Sequence, residues 1–133
     1  MTKTSTGVKT AAIIAVVAIA ASFFIPNEIV LTGADNNKSI EISSGQSFLL
    51  GLESNPSTGY TWDITGYSPL ILSQTGKAGF SQPEQNPELV GAPGTQTFHF
   101  RGISAGKTTL TLVYHRPWEN ATLQSFSVDI VVR

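Results

Sequence analysis

Residues 126–132 read FSVDIVV, and Phe126, Val128, Ile130 and Val132 alternate with Ser127, Asp129 and Val131. A period of two gives an extended strand one apolar face and one more polar face. The same period recurs along the chain. Ile40 and Ile42 carry it, then Phe48, Leu50 and Leu52, then Tyr60, Trp62 and Ile64. It returns at Phe98 and Phe100, and at Leu110, Leu112 and Tyr114. Shorter candidates lie at Glu28 to Thr32 and Leu70 to Ser73. From Asn27 onward no helical period competes. Turn residues at Asn36-Asn37, Ser44-Gly45, Tyr67-Ser68-Pro69 and Ala105-Gly106 separate the segments. Seven or eight half-apolar strands bury their apolar faces best as two packed sheets. The expected fold is all-β, an immunoglobulin-like antiparallel β-sandwich with Trp62 as a candidate core indole.

Composition narrows the function. The chain has 133 residues, room for one domain with a real core. Lys plus Arg total 8 and Asp plus Glu total 9, so no basic face for nucleic acid is indicated. There is no cysteine, hence no disulfide, thiolate nucleophile or cysteine metal site. Ser, His and Asp occur without a nucleophile elbow, and His99 and His115 form no metal motif. Neither an enzyme nor a cofactor is expected. Asn120-Ala121-Thr122 is an N-glycosylation sequon.

The N-terminus points to export. Lys3 and Lys9 precede Ala11 to Ile25, 15 residues without a charge, and Pro26, Asn27 and Glu28 end the run. A helix of that length spans roughly 22 Å, against about 30 Å for a bilayer core. Residues 1–26 therefore read as a signal peptide, with Ala18-Ile19-Ala20 as a small-x-small site, or as an uncleaved signal anchor. Both place residues 27–133 outside the cytoplasm, secreted, periplasmic or tethered to a membrane only through this segment. Without Lys3 and Lys9, 6 basic and 9 acidic residues leave a net charge of −3.

Three connections are long or unusual: Ser54 to Gly59, Gln74 to Thr95, and His115 to Ala121. Numbering the clear strands from Gln46, they follow the first, third and fifth. If strand direction alternates, all three share one end of the sandwich and the short turns share the other. A rigid end bearing irregular loops is how binding modules are built. In the first loop Pro56 holds Asn55 extended, Gly59 permits positive φ, and Ser57 and Thr58 stand at the apex. The second loop closes with Gly91, Ala92, Pro93 and Gly94, a tip poor in side chains. The third carries Arg116, Pro117 and Trp118, with Arg and Trp enriched in binding hot spots. A more ordinary reading folds Trp118 onto the sandwich and pairs Arg116 with Glu119.

In order, these loops resemble the chagasin family of cysteine-peptidase inhibitors. The family pattern is N-P-T-T-G-[YF], then G-x-G-G, then R-P-[WF]. Here it reads Asn55 to Tyr60, Gly91 to Gly94 and Arg116 to Trp118. Ser57 stands for the first Thr, and Pro93 for the third-position Gly, which stiffens that tip. The resemblance covers about residues 38 to 133. It implies a monomeric, reversible, non-covalent inhibitor of papain-like cysteine peptidases. Thr58 would lie nearest the catalytic dyad, Gly91 to Gly94 on one side and Arg116 to Trp118 on the other. The alternative from the residues alone is an exported adhesion or envelope module that uses the same loops.

Overall fold

The structure is a computed structural model that describes residues 28–82 and 93–133. Residues 1–26, read from the sequence as a signal or anchor, lie outside the described residues, as do Gly91 and Ala92. Nine strands are present among those described: β1 (Ile29–Leu31), β2 (Ser39–Ile42), β3 (Ser47–Ser54), β4 (Thr61–Gly66), β5 (Leu72–Gln74), β6 (Gly79–Ser81), β7 (Gly94–Gly102), β8 (Gly106–His115) and β9 (Thr122–Val132). One sheet orders β1-β3-β7-β5, with β6 also paired to β7, and the other orders β2-β9-β8-β4. They face each other as a sandwich. The alternation seen in sequence sets the interior. In β3 the buried positions are Phe48, Leu50, Leu52 and Ser54, and in β9 they are Phe126, Val128, Ile130 and Val132. Trp62 is core, 5% exposed, and its indole N–H donates to the Glu53 carbonyl at 2.9 Å. An indole can be buried because its polar edge finds such a partner.

Two expectations need correction. The sandwich is not purely antiparallel: β1 pairs parallel to β3, and β2 parallel to β9. Both are short edge strands, to which alternation assigns a face but no direction. The stretch from Gln74 to Thr95 also holds a strand, β6. All three residues of β6 are exposed, so it carries no alternating burial to betray it. β5 and β6 pair with successive parts of one β7 edge, at Gly102 to Phe100 and at Thr97 to Thr95.

The inferred grouping of loops holds. Ser54 pairs with Gly94, Thr61 with His115, and His115 with Thr122. The ends of β3 and β8 and the starts of β4, β7 and β9 therefore lie together. At the opposite pole Gly45 N donates to Gly102 O at 2.8 Å, and Ser104 Oγ to Leu70 O at 2.6 Å.

Candidate functional site

The first loop is a single 3-10 turn, Pro56–Thr58, between two fixed residues. Asn55 is extended, with φ −128° and ψ 90°, and its side-chain oxygen caps the turn by accepting from Ser57 N at 3.3 Å. Pro56 occupies the first position, where no N–H is needed. Gly59 closes the turn at φ +86°, a conformation that side chains rarely adopt. Pro56, Ser57 and Thr58 are exposed. The hydroxyl protons of Ser57 and Thr58 are nevertheless engaged within the loop. Ser57 Oγ donates to Asn55 Oδ1 at 2.7 Å, and Thr58 Oγ1 to Asn55 O at 2.6 Å. Tyr60 N also donates to Thr58 Oγ1 at 3.3 Å, so both hydroxyls are tied into the loop's own hydrogen bonds.

The loop is braced from inside. Asn55 N donates to the Tyr114 hydroxyl at 2.9 Å. Gln96 crosses between the sheets, accepting from Trp62 N at 2.8 Å and donating to Trp62 O at 3.3 Å. Tyr60 is half-buried and stacks on Tyr114, ring centroids 5.3 Å apart, and Tyr114 in turn packs on Trp62. An aromatic ladder thus runs from the core to the loop.

The third loop is a four-residue turn in which Glu119 N donates to Arg116 O at 2.9 Å. It leans on the first loop. Arg116 Nε donates to Thr58 O at 2.9 Å, and its guanidinium lies 4.5 Å from the Tyr60 ring centroid. Arg116 Nη1 also meets Glu119 Oε2 at 3.3 Å. The ordinary reading of Arg116 is therefore correct as far as it goes, and incomplete. Trp118 does not fold into the sandwich: it is 70% exposed, and its ring edge covers Gly59. A Cβ at Gly59 would sit 2.6 Å from Trp118 Cη2. Pro117 is exposed at the tip.

Of the second loop, Pro93 is exposed and Gly94 is buried. Gly94 starts β7, and a Cβ there would strike the Ser81 carbonyl and the Phe80 ring. Its glycine is demanded by the close approach of β6. His115 bonds Asp63, Nε2 to Oδ2 at 2.6 Å, across the β4–β8 ladder rather than within the third loop. Among the described residues no cluster of acidic, His or Cys side chains fits a metal.

Residues 41–130 match the family model for the chagasin family peptidase inhibitor I42. The chain belongs to the chagasin family of peptidase inhibitors. Amoebiasin-2 of Entamoeba histolytica is 30% identical over 106 residues, which is 78% of this chain and 85% of that protein. Chagasin of Trypanosoma cruzi is 33% identical over 91 residues, 66% of this chain and 81% of that one. The crystal structure of a cysteine protease inhibitor from Entamoeba histolytica superposes with a TM-score of 0.71 at 29% identity, covering 80% of this chain and 96% of that one. Against the chagasin-family motifs, the supports that motif reading missed are Tyr114 and Gln96. Tyr114 had a signal, since its ring ends the β8 alternation beside the loop. Gln96 had none, because its partner Trp62 lies 34 residues away and is fixed only by folding.

Proposed function

We propose that this protein is an exported, reversible, non-covalent inhibitor of papain-like cysteine peptidases that plugs the active-site cleft with its three-loop end. The observation that carries this reading is the clamp between the first and third loops. Arg116 and Trp118 hold Thr58 and Gly59 in place through contacts within this chain. A preformed apex loses little entropy on docking. Family membership supplies the target class, since the superposed Entamoeba histolytica structure is described as a cysteine protease inhibitor.

The local geometry also accounts for resistance to cleavage. A peptidase needs an extended chain with a free carbonyl in its oxyanion site. Here the carbonyl of Asn55 accepts from Thr58 N at 3.1 Å and that of Pro56 from Gly59 N at 2.9 Å. The carbonyl of Thr58 is held by Arg116. In the proposed complex Thr58 stands nearest the catalytic dyad, flanked by Asn55, Pro56, Ser57, Gly59 and Tyr60. Gly91 to Pro93 line one side and Arg116, Pro117 and Trp118 the other. Gly94 acts from below, as scaffold. The N-terminal segment serves export, as a cleaved signal or a retained anchor. Titrating papain and several related peptidases with the purified protein tests this: loss of activity that is restored on dilution is expected. Full activity throughout at micromolar inhibitor would refute it.

A further inference from the structure

The chain enters the sandwich at the pole opposite the three loops. β1 begins there, Ile29 opposite Phe48, and runs parallel to β3 toward the loop end. Only Pro26, Asn27 and Glu28 separate β1 from the apolar run Ala11 to Ile25. Three extended residues reach roughly 10 Å. Cleavage after Ala20 would still leave Ala21-Ser22-Phe23-Phe24-Ile25 ahead of them. In either processing state, apolar sequence precedes β1 by only three residues.

The same pole displays two large aliphatic side chains in water, Leu70 at 77% and Ile103 at 45% exposure. Single exposed aliphatic residues are ordinary. These two are held together and held rigid. Ile103 N donates to Ile71 O at 2.8 Å, Ser104 Oγ to Leu70 O at 2.6 Å, and Leu72 N to Ser68 O at 3.0 Å. Exposed Arg101 lies beside Ile103, around a shallow depression that Ser44, Gly45 and Ser73 also line. Three strand spacings of about 4.8 Å separate β1 from β5, so the pair stands roughly 14 Å from the point of entry.

We propose that this pole is a lipid-facing surface. Leu70 and Ile103 enter the boundary between headgroups and acyl chains, Arg101 meets headgroup phosphate, and the inhibitory loops point away from the bilayer toward soluble peptidases. Aliphatic tips next to a cation suit that boundary. The tether at one edge and the aliphatic pair at the other give two points of attachment, which set an orientation where a tether alone sets none. The proposal rests on the reading of residues 1–26 as an export segment. The inhibitor reading stands or falls separately, in the titration with soluble papain.

The chain has no cysteine, so single cysteines can be labelled cleanly. Full-length Leu70→Cys, Ile103→Cys and Ser57→Cys variants would carry an environment-sensitive dye and be reconstituted with vesicles of phosphatidylcholine and phosphatidylglycerol. The dye at positions 70 and 103 should shift to the blue and be quenched by nitroxide-bearing lipid. The dye at 57 should stay open to aqueous iodide. Unlabelled protein supplies a check free of substitution: the emission of Trp62 and Trp118, both toward the loop end, should resist quenching by the same lipid. Three results would each overturn the proposal: protein that does not float with the vesicles, floating protein whose 70 and 103 dyes stay aqueous, or lipid quenching of the tryptophan emission.

Discussion

Arg116 illustrates how one side chain can serve a site in two ways. Its Nε fixes the Thr58 carbonyl and its planar face covers Tyr60. Lysine keeps the charge and loses both the fork and the stacking plane. Arg116→Lys is therefore expected to weaken papain inhibition about tenfold, near 1.4 kcal/mol, with little change in thermal midpoint. Amide exchange at Thr58 and Gly59 should quicken in the same variant. Trp118→Ala tests the other contact. Because Trp118 is 70% exposed, stability should barely change, while binding falls by about 2 kcal/mol or more if it is a hot spot. A large loss of stability with inhibition intact would instead make Trp118 a packing residue. Gly59→Ala combines a left-handed backbone with a collision against Trp118. The backbone cost alone is about 1–2 kcal/mol, and the new methyl also displaces Trp118, so inhibition should drop about as far as in Trp118→Ala.

At the scale of elements, the loops depend on the strands that launch them. Tyr114→Phe removes the acceptor of Asn55 N and keeps the ring that packs on Trp62 and Tyr60. An unpaired, part-buried N–H costs about 1–3 kcal/mol. The urea midpoint should fall accordingly, and inhibition with it. Gly94→Ala should act through β6, since the new methyl would push Ser81 and Phe80 off the β7 edge. Its signature is faster amide exchange in β6 than in β3, read by exchange mass spectrometry. These elements were unequally legible in the sequence. Phe48 to Leu52 and Phe126 to Val132 announce their strands because every second side chain is buried. β6 does not, because neither of its faces is buried. The parallel pairings of β1 and β2 were equally silent, since hydrophobic alternation carries no direction.

At the scale of the whole molecule, strand parity alone brought three loops to one end, and the Ser54–Gly94 and Thr61–His115 pairs bear that out. The composition of the site was legible because Pro56, Gly59 and Pro117 act locally, through their own backbones. The grip of the third loop on the first was not: Arg116 and Thr58 lie 58 residues apart in sequence, and only the packed sandwich makes them neighbours. Family motifs name the residues at the tip, and the structure explains why the tip is rigid. On the proposed function, this preformed end occupies a papain-like active site. Titration of active-site-quantified papain with the purified protein tests it most directly. The predicted result is stoichiometric, dilution-reversible inhibition with the inhibitor chain recovered uncut. Undiminished papain activity, or inhibitor cleaved between Asn55 and Tyr60, would contradict it.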